Sequence, residues 1–193
     1  MQARYSPGQT FPDYVLPDHT QTARRLSELQ GDVPMLLVLI RGFRCPQDRA
    51  QLKELTRFHA QRPAGTLRVV VITADDWQDT RALRQQLGAR YPFLYDPEHR
   101  VRDDLAIVEC GDGTHQPMIP HTVLLAPRLQ IHRVWNGHYH WGRPSTCELH
   151  DALCEVVPDR RRDGVWASGD ETAALRRFGA ADPYRGDARS QRT

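Results

Sequence analysis

The sequence predicts an α/β domain with a central mixed sheet flanked by helices, on three observations. A continuous apolar run, MLLVLI at 35–40, has the length and character of a strand buried on both faces, and LRVVVIT at 67–73 reads as a second buried strand. Segments with helical spacing of apolar residues follow each run, which implies parallel strands joined by crossover helices. Two further strand-like segments, 119–126 and 130–137, are separated only by Pro127, Arg128 and Leu129, which implies a hairpin and an antiparallel edge.

The elements follow in order. The leading segment carries Pro12 and Pro17, then Asp18 and Thr20 as turn residues, and a short helix ending at Gly31. After the first buried strand, Cys45-Pro46 opens a helix over 47–60, in which Leu52, Leu55 and Phe58 recur at helical spacing. After the second strand, Asp75 or Asp76 caps a helix that Gly88 stops. YPFLYD at 91–96 is a short strand, and 99–108 a short helix or turn. Ser145 and Glu148 form a capping box opening a helix over 146–157, with Leu149, Ala152, Leu153 and Val156 as its apolar stripe. Residues 1–157 thus read as one domain. Residues 158–193 are polar, rich in Arg and Asp, and read as a C-terminal extension.

Composition narrows the function classes. No apolar run approaches the roughly 20 residues needed to span a bilayer, and the first residues lack the apolar core of a secretory signal. The expected location is the cytoplasm. The net charge of +2 is too small, and the arginines too scattered, to argue for nucleic acid. The cysteines stand at 45, 110, 147 and 154, with no CxxC and no zinc-ligand spacing. His138 and His140 alternate in the run WNGHYHWGRP, but nothing joins them at a familiar ligand spacing. The run reads as an aromatic rim. No metal and no cofactor is expected.

The chemistry centres on IRGFRCPQDR, 40–49. A buried strand ends, the chain turns at Gly42, and Cys45 stands where the next helix begins. The first N–H groups of a helix lack internal partners, and the aligned peptide dipoles place partial positive charge there. A thiolate at that point is stabilised, and Arg41, Arg44 and Arg49 add positive potential, so the expected thiol pKa is lowered. Pro46 suits the first helical turn, where a missing N–H costs nothing.

The run PMLLVLIRGFRCPQDRAQLKEL resembles the active-site segment of the peroxiredoxin-like redoxins of the alkyl hydroperoxide reductase/thiol-specific antioxidant family: an apolar strand, Arg-Gly, two residues, Cys-Pro, then a helix with Gln-Leu. The resemblance extends from about residue 7 to 157, through VVVITADDWQDTRALRQQLGARYPFLYDPEHRV and IPHTVLLAPRLQIHRVWNG. It implies a thioredoxin-like fold, a peroxidatic or nucleophilic role for Cys45, and a cis-proline at Pro120. It also implies a hydroperoxide substrate, a low-molecular-weight thiol or thioredoxin-type protein as reductant, and the homodimers common in such proteins.

The sequence departs from the family at three places. Where many redoxins of this look carry a second cysteine, three residues after the first, this chain has Asp48, which excludes a CxxC dithiol cycle. Where peroxiredoxins carry Thr or Ser, three residues before the cysteine, it has Gly42. The arginine such proteins use near the position of Pro120 is missing, leaving Arg41, Arg44, Arg49 and Arg133 as candidates for its role. Asp48 reads as a first-turn carboxylate complementing the helix dipole, or as a hydrogen-bond partner of Arg44 or Arg49, or a proton relay. Cys110 is a candidate resolving cysteine in the loop before Pro120, whereas Cys147 and Cys154 read as ordinary helix residues. The expected activity is a one-cysteine thiol peroxidase. The alternatives are a thiol–disulfide oxidoreductase using Cys45 alone, and a non-catalytic redox sensor or binding module.

Overall fold

The computed structural model describes residues 5–109, 118–137 and 142–157. The two apolar runs become the adjacent central strands β3, Met35–Ile40, and β4, Arg68–Thr73. They follow a small antiparallel hairpin, β1 (Val15–Pro17) and β2 (Ala23–Arg25), and the short helix α1, Leu26–Gln30. Helix α2, Pro46–Ala60, connects β3 to β4. Helix α3, Trp77–Leu87, leads to β5, Phe93–Tyr95, and the short α4, Arg100–Asp104, follows. The hairpin of β6 (His121–Ala126) and β7 (Gln130–Asn136) precedes the last described helix, α5, Thr146–Val156.

The five-stranded sheet has the order β5-β4-β3-β6-β7. Strands β3, β4 and β5 are parallel; β6 is antiparallel to β3, and β7 to β6. Every side chain of β3 is buried, which is why its sequence does not alternate. Leu37, Leu39, Val70, Ile72 and Val123 face one side and pack with Phe11, Tyr14, Leu26 and Val101. Leu36, Val38, Ile40, Val69 and Val71 face the other, against Leu52, Leu55 and Phe58 of α2, Leu83 of α3, and Leu149 and Leu153 of α5. Each such side chain contributes about 1.5–3 kcal/mol by leaving water.

Local signals act where they stand. Asp76, not Asp75, caps α3, accepting from Asp79 N at 2.9 Å, and Gly88 ends the helix at φ +61°. The Ser145–Glu148 capping box is present. The hairpin turn uses Arg128 and Leu129 at φ +64° and +56°, a conformation that glycine normally supplies. Burial of Leu129, and its N–H donated to Gln30 Oε1 at 2.8 Å, hold that turn.

The parallel strands β3, β4 and β5 all end at one edge of the sheet. Strand β6 begins there, since His121 lies opposite Leu39. Ligand sites in parallel α/β sheets form at this carboxyl edge, and Cys45 stands on it.

Candidate active site

Cys45 is the N-cap of α2, with Pro46 at the first helical position. Its N–H closes a turn onto Gly42 O at 3.1 Å, and its carbonyl accepts the first helical bond from Arg49 N at 3.1 Å. The thiol is partly buried. Gly42 has φ +140°, and a Cβ there would overlap the Asp75 carboxylate. Glycine is therefore required twice over, by conformation and by space.

Asp75 explains that closeness. Its Oδ2 accepts from Phe43 N at 2.6 Å and from Thr73 Oγ1 at 2.7 Å. The end of β4 thus fixes the loop that carries Cys45. Burial pushes the Asp75 carboxyl up, against these hydrogen bonds that favour its ionised form.

Asp48 is the centre of the electrostatics. Its side chain is fully buried in the first turn of α2. One oxygen accepts from Arg41 N at 2.8 Å, and the other pairs with the Arg143 guanidinium. The expected partners Arg44 and Arg49 are elsewhere. Arg44 is exposed. Arg49 lies over the Phe43 ring, 5.1 Å from its centroid, and donates to Gln86 Oε1 at 2.8 Å. The Arg41 guanidinium pairs with Glu109, and Arg133 with Glu155. Arg143 was not among the residues the sequence singled out. Gly142 delivers it: at φ +83°, a Cβ there would overlap Asn136 O, so only glycine lets the chain fold back so tightly. A buried carboxylate needs a counter-charge, but only the fold shows that Asp48 is buried.

The expected lowering of the thiol pKa is overturned. The thiol donates to Gln47 Oε1 at 3.7 Å. Burial pushes the Cys45 thiol up, the Asp48 N–H pulls it down, and the charge of the Asp48 carboxylate pushes it up again. The helix terminus is present, but desolvation and one neighbouring carboxylate outweigh it. The expected cis bond at Pro120 is also corrected: no described peptide bond is cis. Pro120 is buried at the site edge, its O accepting from Gly137 N at 2.8 Å.

Cys110 lies outside the described residues, as do His115, His138, His140 and the extension 158–193. His132 bonds Glu155 Oε2 at 3.0 Å. Cys147 is exposed, and the buried Cys154 faces His150. Among the described residues no group of three or more His, Cys, Asp or Glu could hold a metal, and no helix is long and apolar enough to cross a membrane.

The AhpC/TSA family model matches residues 7–134. The chain belongs to the AhpC/TSA family. It is accordingly a thiol-dependent antioxidant oxidoreductase, whose class of substrate is a peroxide and whose class of reductant is a thiol. No curated protein matches it by sequence. Among solved structures, the peroxidoxin BcpB of Mycobacterium tuberculosis is 20% identical, covering 79% of this chain and 96% of that one, with TM-score 0.67. The thiol peroxidase of Chromobacterium violaceum is 15% identical over 83% and 91%, with TM-score 0.68. A yeast mitochondrial 1-Cys peroxiredoxin is 10% identical over 82% and 78%, with TM-score 0.64. These likenesses establish the thioredoxin-type fold of this AhpC/TSA protein.

Proposed function

We propose that Cys45 is the peroxidatic thiol of a one-cysteine peroxidase. The observation that carries this is its place as the partly exposed N-cap of α2, with the buried Asp48 where a second cysteine would stand. The Cys45 sulfur attacks the terminal oxygen of a hydroperoxide. An S–O bond forms, the O–O bond breaks, and the alcohol or water leaves, giving a sulfenic acid. One external thiol displaces water from it to form a mixed disulfide. A second thiol then releases Cys45. The reductant is a low-molecular-weight thiol or a thioredoxin-type protein, and the fitting compartment is the cytoplasm, where such thiols are kept reduced. Pro120 borders the site as part of its wall, and of the three flanking arginines Arg44 is the exposed one, while Arg41 pairs with Glu109 and Arg49 lies on Phe43. Cys110 is the candidate for an internal resolver.

The test is stopped-flow oxidation of the reduced protein by hydrogen peroxide and an organic hydroperoxide, with mass spectrometry of Cys45 and Cys45→Ser as control. Fast, Cys45-dependent sulfenate formation supports the reading. Oxidation no faster than that of a free thiol overturns it. In that event Gly42, which brings no hydroxyl to orient a peroxide, favours thiol–disulfide exchange at the same sulfur.

A further inference from the structure

The Cys45 sulfur changes its needs during the reaction assigned to it above. As a thiol it is a weak donor and requires an acceptor. As a thiolate it has no hydrogen to give and requires a donor. A side chain able to meet both needs touches it: Gln47 Oε1 accepts from the thiol at 3.7 Å.

The contact has a local cause. Side chains two apart within a helix do not face each other, but Cys45 stands just outside the helix. Its backbone is extended, at φ −78° and ψ 114°, and it is the N-cap of α2, with Gln47 the second residue of the helix. An N-cap side chain bends back over the first turn, towards the second and third helical positions. The third is Asp48, whose oxygens are taken: Arg41 N donates to one at 2.8 Å, and the Arg143 guanidinium pairs with the other. The remaining charges around the loop also have partners. The Arg41 guanidinium pairs with Glu109, Arg49 donates to Gln86 and lies on Phe43, and Asp75 accepts from Phe43 N and Thr73. Arg44 is exposed. The amide of Gln47 is the polar side-chain group in hydrogen-bond contact with the sulfur. Gln47 is only partly buried, and the last torsion of a glutamine is broad and roughly two-fold. A half-turn therefore brings Nε2, a donor, to the place of Oε1, an acceptor.

We propose that Gln47 is a catalytic residue of the Cys45 site: its carboxamide accepts from the resting thiol and, after a half-turn, donates from Nε2 to the thiolate that attacks the peroxide. The thiol proton goes to water. A sulfur lone pair then forms the S–O bond, and the O–O pair leaves with the RO oxygen, which takes a proton from water. Cys–SH and ROOH become Cys–SOH and ROH, and the amide is unchanged. Burial and the Asp48 charge both oppose the thiolate, and a neutral donor offsets them without adding charge to the resting site. This inference rests on the peroxidase reading and adds a residue to it.

Alkylation by iodoacetamide reads the thiolate without any peroxide, with mass spectrometry to follow Cys45 and circular dichroism to show that each variant is folded. Gln47→Ala is the first variant. Its shorter side chain lets water reach the sulfur, which by itself would favour the thiolate. The expected result is the opposite: the pH midpoint of alkylation rises, and the rate at neutral pH falls about fivefold, the difference between a charge-assisted and a neutral hydrogen bond. Gln47→Glu keeps an acceptor, loses the donor and adds negative charge, so its midpoint rises further. A Gln47→Ala midpoint at or below that of the wild type overturns the proposal, because the amide would then serve the thiol alone. A Gln47→Glu midpoint at or below that of Gln47→Ala overturns it as well. Both comparisons stand whether or not peroxide reacts. Absence of any Cys45-dependent peroxide oxidation in the wild type would instead overturn the peroxidase reading itself.

Discussion

Arg143 and Asp48, 95 residues apart in the chain, form an ion pair buried beside Cys45. It ties the loop before α5 to the first turn of α2. The nucleophile's surroundings are thus assembled from three places: the β3–α2 loop, the end of β4 through Asp75, and the approach to α5.

The titration of Cys45 follows from those surroundings. Its thiol pKa lies above the ordinary value, chiefly because of burial, with the Asp48 charge adding to it. A group raised on folding stabilises the protein fully below its unfolded pKa, about 8.5, and loses that contribution as pH rises through the folded value. The pH midpoint of Cys45 alkylation should therefore lie above that of the same protein in denaturant. A midpoint below it would mean that the helix terminus dominates after all.

Gly42→Ala should injure both stability and chemistry. At φ +140°, with the Asp75 carboxylate in the place a Cβ would take, the substitution displaces the acceptor of Phe43 N–H. The expected cost is about 1–3 kcal/mol, with slower oxidation of Cys45. Gly88→Ala is the comparison: its φ is +61° but nothing stands within 4 Å of the added carbon. It should cost only about 1 kcal/mol and leave Cys45 reactivity alone. Equal kinetic effects in thermal melts and stopped-flow traces would refute the role given to the Gly42–Asp75 contact.

Asp18 should govern acid stability. Burial raises its pKa, but hydrogen bonds from Thr20 Oγ1 at 2.5 Å, Thr20 N at 2.7 Å, Arg24 Nε at 3.1 Å and Thr22 N at 3.1 Å outweigh this and bring it to about 2. A depressed carboxyl stabilises above its unfolded pKa and loses that contribution as pH falls through the folded one. The lowering from an unfolded value of about 3.9 corresponds to about 2–3 kcal/mol at neutral pH, lost between about pH 5 and 2. Asp18→Asn should be weaker by this order at pH 7 and show a flatter denaturation profile over that window.

Gln30 should matter for stability alone. Its buried amide donates to Ala126 O at 2.9 Å and accepts from Leu129 N at 2.8 Å, strapping the β6–β7 turn at the sheet end opposite Cys45. Gln30→Ala leaves buried backbone groups unpaired and frees a turn held at positive φ. A loss of about 2–3 kcal/mol, read by urea unfolding, should leave the peroxide rate of the folded protein unchanged.

The sequence by itself determined what depends on neighbours along the chain. The apolar run at 35–40 and the valine-rich run at 67–73 read as strands covered on both faces, and the burial of β3 throughout and of β4 beyond Arg68 bears that out. Cys45-Pro46 at the end of the first could only open a helix, and it does. The Ser145–Glu148 box and the Gly88 stop were legible because caps are made by residues three or four apart. Family membership was legible in the same run. Tertiary structure alone decided the charge around Cys45. Three flanking arginines made the thiol look activated, but Arg41 and Arg49 turn to other partners, Arg44 is exposed, and Asp48 goes inside. Residue spacing places a charge near the sulfur without saying whether water or a distant residue will screen it. Burial, with the Asp48 charge beside it, sets the ionisation of Cys45, and that burial exists only when the sheet and its helices have packed.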